Sequence, residues 1–246
     1  MKKLLSIAIV ISLCFTGCGK NGKPVSRSTI LFDTSITITI YDGNEEDLDS
    51  AFSLCRKYEQ LFSRTIPDSE ISRLNGGDIS VIPSEETMDI LKTAGDYSLM
   101  SKGAFDVTIC PVSSLWNFKE MPFKKPTDEM IKNSLKSVDY HNVLVENGKV
   151  TLKNNAKIDL GAIAKGYATD KVAQLLINRG IQSAIINFGG NVLLIGEKQN
   201  GGDFKVGITK PFSENHGEIS ATVETTNRSV VTSGIYERYY KDETSF

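Results

Sequence analysis

Ile158 to Tyr167 places an aspartate, two glycines and a lysine where a strand hands over to a helix. The first turn of such a helix offers unpaired backbone N–H groups and a positive dipole end. Gly161 allows close approach, and Lys165, one turn in, adds a mobile positive charge, so the segment reads as an anion site. Asp159 then accepts hydrogen bonds from a base or sugar. The same residues also read as an aspartate N-cap with packing glycines, and residue types alone leave both readings open. A second segment, Gly103-Ala104-Phe105-Asp106-Val107-Thr108, follows a helix end. A glycine turn there presents a ring that stacks and a carboxylate that accepts, which suits a flat heterocycle. The alternative is a buried Phe105 with Asp106 closing a turn. Asp68 to Asn75 reads as a capped short helix.

Familiar catalytic patterns are missing. No Gly-x-Gly-x-x-Gly follows a strand, and Gly161 to Gly166 lacks the spacing of a phosphate-binding loop. His141 and His216 have no second ligand at metal spacing and read as surface residues. No Gly-x-Ser-x-Gly elbow or Cys-His pairing supports a nucleophilic hydrolase.

The elements that must position these segments follow from periodicity. Ile36, Ile38 and Ile40 alternate with polar residues through Ser35 to Tyr41, a strand with one buried face. Asn44 caps a helix on which Leu48, Ala51, Phe52, Cys55 and Phe62 recur at helical spacing. Another helix starts at Ser84 after Pro83, with Glu85 and Glu86 in its positive first turn, and stops near Gly103. Asn147-Gly148 between Val143 to Val145 and Val150 to Leu152 predicts a hairpin. A long helix is predicted from about Ala162 to Arg179, ending at Gly180. Short apolar runs then occupy 184–187, 192–196, 204–208, 219–225 and 229–232. Helices with late antiparallel strands make the fold class α+β.

Lys2 and Lys3, the apolar run Leu4 to Phe15, and the small residues Thr16 and Gly17 form an export signal, residues 1–17. That run is too short for a membrane span. Phe15-Thr16-Gly17-Cys18 is similar to the lipobox of bacterial lipoproteins, which predicts cleavage before Cys18 and lipid on its sulfur. Residues 18–28 read as a flexible tether and 29–246 as the domain. The net charge of −2 carries no basic excess that points to nucleic acid. Cys55 and Cys110 remain in the mature chain and do not indicate a disulfide framework.

Taken in order, six segments resemble the ApbE-type FAD:protein FMN transferases. They are Phe62-Ser63, Asp68 to Asn75, Gly103 to Thr108 with Pro111 and Trp116, Asp159 to Asp170, Asn187 to Gly190, and Val231 to Gly234. The resemblance runs from about Phe32 to Arg238. It implies a T-fold-like α+β domain that uses FAD as substrate with Mg²⁺. Such an enzyme transfers FMN through a phosphoester onto a Thr or Ser of a flavoprotein and releases AMP. By position it implies FAD contacts at Ala104, Phe105, Asp106, Asp159 and Lys165, and an Mg²⁺ ligand in the main-chain carbonyl of Ala162. Phe32 and Thr65 fall at further FAD positions but differ in type from the usual Met and Tyr. Family members continue into a His-Ile-x-Asp-Pro and an Asp-Ala-Leu-x-Thr-Ala segment with a catalytic histidine and side-chain metal ligands. Both are expected beyond Phe246, so the resemblance implies a truncated chain that lacks catalytic side chains. Expected partners are extracytoplasmic flavoprotein subunits of membrane redox complexes with a Ser/Thr-Gly-Ala-Thr acceptor, at a membrane reached through Cys18. Hydrolysis of FAD to FMN and AMP and non-catalytic flavin or solute binding are the alternatives.

Overall fold

Ile36, Ile38 and Ile40 are fully buried along one face of a strand, β2 (Thr34–Ile40), as their alternation predicts. The computed structural model describes residues 23–116, 125–213 and 217–234. In it, β2 pairs antiparallel with β1 (Val25–Leu31) through a turn at Phe32 and Asp33, both with positive φ. On the face away from the core, Ser26 meets Thr39 and Ser28 meets Thr37, each pair 2.7 Å apart between hydroxyls.

β1 corrects the expected domain boundary. The strand begins at Val25, inside residues 18–28 that composition assigns to a tether. Its small and polar residues hide the pattern, because β1 lies at a sheet edge and only alternate positions are covered. Arg27 fastens it to the neighbouring helix through Glu45 (2.7 Å) and Asp49 (2.6 Å).

That helix, α1 (Glu45–Phe62), opens with a reciprocal cap. Asn44 Oδ1 accepts from the N–H groups of Glu46 and Asp47, and Asp47 Oδ2 accepts from Asn44 N. Its buried stripe includes every apolar position named from periodicity, with Tyr58 added. Next come α2 (Glu70–Asn75), capped by Ser69, and α3 (Glu85–Met100), capped by Ser84. α3 ends where Gly103 turns left-handed, its N–H bonding to Ser98 O at 2.8 Å. The short α4 (Cys110–Ser113), then α5 (Asp128–Leu135), and the hairpin β3 (Val143–Glu146) and β4 (Lys149–Leu152) follow, with Asn147 and Gly148 at positive φ as predicted.

α6 (Ala164–Asn178) starts two residues later than expected, because Ile163 and Ala164 both donate to Leu160 O in a preceding turn. Gly180 ends it at φ +87°. Five strands complete the fold: β5 (Ala184–Phe188), β6 (Asn191–Ile195), β7 (Phe204–Thr209), β8 (Ile219–Thr225) and β9 (Ser229–Val231). The main sheet has the order β1-β2-β5-β6-β9, antiparallel throughout. β7 and β8 form a separate hairpin. α1 and α6 lie side by side against the main sheet, and Phe52, Leu48, Val172 and Leu176 meet Ile38, Ile186 and Phe188 in one core. The architecture is α+β, as expected. Cys55 and Cys110 are free and buried, and among the described residues no helix is long and apolar enough to cross a membrane. Burial pushes the Cys55 thiol up to about 12, so it stays protonated and inert.

Candidate functional site

The segment before α6 is held by backbone on one side and by a side-chain amide on the other. Asp159 N donates to Val107 O at 2.7 Å, and Lys157 bridges in parallel to Ile109. From the other side Asn75 clasps Ile158 like a ladder partner, accepting from its N–H at 2.6 Å and donating to its carbonyl at 2.8 Å. That contact gives the short α2 motif its purpose. The Asp159 side chain, 16% exposed, is occupied by protein groups. Oδ1 accepts from Gly161 N (2.9 Å), and Oδ2 accepts from Ser113 Oγ (2.8 Å) and faces Arg64 Nε (3.1 Å). Asp159 therefore closes a tight turn. It is not the N-cap of α6, which is Ile163, and no side chain caps that helix.

An uncapped helix end faces a cleft of about 610 Å³ between the last turns of α3 and the first turns of α6. Thr93, Tyr97 and Met100 form one wall, at the i, i+4, i+7 positions of one helix face; Ile163, Gly166 and Tyr167 form the other. Phe105 lies between them, its ring edge-on to Tyr97 at 6.2 Å. Tyr167 is backed by Tyr58 and Phe62, at 5.6 and 5.5 Å between ring centres. Its hydroxyl donates to Asp89 Oδ2 (2.8 Å), and Lys171 Nζ sits 4.8 Å over the same ring and 3.1 Å from Asp89. The cleft is thus an aromatic slot with a positive helix end at one side, suited to a flat ring carrying an anionic group.

Of the residues expected at the site, Phe105 and Ala162 line this cleft. Asp106 does not present a free carboxylate: Oδ1 accepts from Thr108 N and Oγ1, and Oδ2 accepts from Tyr140 N. Of its two readings, turn closure describes the geometry. Ala104 is exposed beside Phe105. Lys165 stands on the first turn of α6, partly exposed and without an ion pair among the described residues. Thr65 occupies the turn after α1, next to Arg64, where its N–H donates to Ser63 Oγ. The Phe32 ring lies tilted against Phe188 at 6.0 Å, and its N–H donates to Glu59, away from the cleft lining. A smaller cleft of about 210 Å³ joins the Asn187 to Gly190 turn with Thr232, whose N–H donates to Gly190 O. Gly189 has φ +56°, and a Cβ there would overlap Thr34, so this turn requires glycine.

Charge around the cleft is ordered by burial and hydrogen bonds. The Tyr167 hydroxyl and Lys171 hold the Asp89 carboxyl below its usual range. Burial first, and then Asp89, push the Tyr167 phenol far upward. Burial also pushes Tyr58 up to about 12. Asp170, at the cleft rim, is raised by the loss of solvent around it, against the pull of Lys171. The Ala162 carbonyl accepts no hydrogen bond among the described residues. No group of three His, Cys, Asp or Glu side chains gathers there or elsewhere among them. One carbonyl does not satisfy Mg²⁺, which takes near-octahedral oxygen coordination, so the described residues do not by themselves fit that ion.

The ApbE family model matches residues 32–245, nearly the whole domain. This chain belongs to the ApbE family. The FAD:protein FMN transferase of Klebsiella pneumoniae is 30% identical over 89% of this chain and 68% of its own length. That of Haemophilus influenzae is 29% identical over 98% and 75%. Among solved structures, the ApbE protein of Thermotoga maritima superposes with a TM-score of 0.82 at 28% identity, covering 91% of this chain and 74% of that one. The flavin transferase ApbE of Vibrio cholerae gives 0.78 at 26%, covering 91% and 75%. In this ApbE chain the Asp159 to Asp170 segment and Gly103 to Thr108 meet at one slot, and Asn75 of the Asp68 to Asn75 segment clasps Ile158 just before the first of them. Sequence reasoning missed Tyr97, Met100, Arg64 and Ser113. A signal existed for the first two, a second apolar stripe on α3 away from buried Ile90, Leu91 and Ala94. Arg64 and Ser113 meet Asp159 only through tertiary contact and carry no local signal.

Proposed function

We propose that this protein transfers FMN from FAD to a Thr or Ser hydroxyl of a target flavoprotein. The observation that carries the reading is the aromatic slot of Tyr97, Phe105 and Tyr167 beside the uncapped N-terminus of α6, within an ApbE-family fold. In this reading the rings flank the flat heterocycle of FAD, while the helix end and Lys165 face its phosphates. By family position Ala104, Asp106, Asp159, Phe32 and Thr65 are the further FAD-contact positions. Of these, Asp106 and Asp159 act by fixing the turns beside the slot, since their carboxylates are engaged by protein groups, and Phe32 and Thr65 lie outside the cleft lining. The acceptor oxygen bonds to the FMN phosphorus, the bond from that phosphorus to the bridging oxygen breaks, and AMP leaves with the electron pair. The hydroxyl proton passes to solvent. Positioning and charge neutralisation carry such a transfer, so a nucleophilic triad is not required. Mg²⁺ dependence belongs to the proposal, with the Ala162 carbonyl as one ligand. The described residues offer no carboxylate cluster to complete the ion's coordination.

The proposal includes an extracytoplasmic protein anchored through lipid on Cys18, acting on flavoprotein subunits of membrane redox complexes with a Ser/Thr-Gly-Ala-Thr acceptor. The test combines the full gene product, FAD, Mg²⁺ and such an acceptor, beside an active flavin transferase as control. The expected result is acceptor fluorescence that survives a denaturing gel, with AMP released. An acceptor labelled only in the control overturns the reading. Free FMN and AMP without a labelled acceptor assigns hydrolysis instead.

A further inference from the structure

Arg64 joins three segments that are far apart in sequence. Its Nε faces Asp159 Oδ2 at 3.1 Å, and its Nη1 donates to Ser114 Oγ at 2.9 Å, at the end of α4. The turn that carries it is fixed independently. Ser63 Oγ accepts from Thr65 N and Ile66 N, and Ser63 O accepts from the hydroxyls of Ser69 and Ser72. The guanidinium, one-third exposed, is therefore presented from a rigid base onto a carboxylate that is mostly buried. That carboxylate holds Gly161 N and, through the same turn, the carbonyl of Ala162 and the side chain of Ile163 at the cleft wall. Without its cation, Asp159 would keep only two neutral donors and gain a reason to turn toward solvent.

We infer that Arg64 is a positioning residue: by occupying Asp159 Oδ2 it fixes the 159–163 turn, and with it the α6 end of the cleft. The inference rests on the proposal that this cleft binds FAD, but its first readout does not. Hydrogen exchange in the ligand-free protein reports the turn directly at Gly161, Ile163 and Ala164, whose N–H groups bond to Asp159 Oδ1 and Leu160 O. Arg64→Met is expected to speed their exchange at least tenfold while the amides of β5 and β6 keep their protection. It is also expected to weaken FAD binding about tenfold, with Arg64→Lys recovering part of both effects. Asp159→Asn should match Arg64→Met, and the double variant should be no worse than either alone. Unchanged exchange in Arg64→Met overturns the inference. So does FAD affinity that is equal or tighter in that variant, because Arg64 would then compete with the ligand for Asp159. A wild-type protein that binds no FAD overturns the functional proposal and leaves the exchange comparison to decide this one.

Discussion

Tyr167 lines the cleft, and the groups packed against its ring hold it there. Tyr58 and Phe62 meet it edge-on, its hydroxyl bonds to Asp89, and Lys171 bridges the ring and the carboxylate. Ring stacking on a base contributes about 1–3 kcal/mol, so Tyr167→Ala is expected to weaken FAD binding roughly ten- to hundredfold in a fluorescence titration. Tyr167→Phe keeps the ring and loses a single hydrogen bond, worth about 0.5–1.5 kcal/mol, and should weaken binding only a few-fold. Equal affinities for both variants and wild type would remove Tyr167 from the site. The pH dependence follows from Asp89, whose folded carboxyl lies below the ordinary 3.8. A depressed carboxylate stabilises the fold above its unfolded pKa and loses that contribution as pH falls through the folded value. The Tyr167 to Asp89 clamp is therefore constant from pH 5 to 8. The thermal-stability gap between wild type and Asp89→Asn should shrink only below about pH 4.

Asp47 shows how one element is fastened to another. It closes the cap of α1 through Asn44 N and also takes Arg179 Nε at 2.7 Å, at the end of α6, with only 8% of its side chain exposed. Asn44→Ala removes cap bonds alone and should cost about 1 kcal/mol. Asp47→Ala keeps the Asn44 Oδ1 cap, removes the reciprocal bond from Asn44 N, and leaves Arg179 with the longer contact to Glu46. Because Arg179 is partly solvated, that second loss stays below the full penalty of a buried pair but should still make Asp47→Ala the less stable of the two variants. Urea unfolding of both variants checks the order, and equal losses would show that the α1 to α6 link contributes nothing. The cap at Asn44, the stripe on α1 and the end of α6 at Gly180 were legible in the sequence because each is local chemistry repeated at a fixed period. β1 was not, since an edge strand need bury only alternate positions and Ser26, Arg27 and Ser28 carry no apolar signal. At the site, Phe105 and the α6 entry were legible from residue type. The partners of Asp159 and Asp106 were not, because Arg64, Ser113 and Tyr140 reach them from other elements and sequence spacing says nothing about such contacts.

At the scale of the whole molecule, the start of β1 sets how far the domain can stand from an anchor. With the strand beginning at Val25, only residues 19–24 separate it from Cys18. Fully extended, the path from Cys18 to Val25 spans at most roughly 25 Å. Under the proposed lipid attachment, the enzyme is held close to the bilayer surface and meets acceptors within that shallow zone at a raised effective concentration. Cys18→Ala should move the exported protein from the membrane to the soluble extracytoplasmic fraction without changing its thermal stability, since Cys18 precedes the first strand. Its FAD affinity should also be unchanged, because the residues that line the cleft, Thr93 to Asp170, are remote from Cys18 in sequence. Labelling of a soluble acceptor peptide by the full gene product should then match wild type, while labelling of a membrane-embedded acceptor falls at least tenfold. Membrane retention of Cys18→Ala, measured by fractionation and blotting, would sink the anchor. Equal labelling of the embedded acceptor despite release would show that proximity to the bilayer contributes nothing to the reaction.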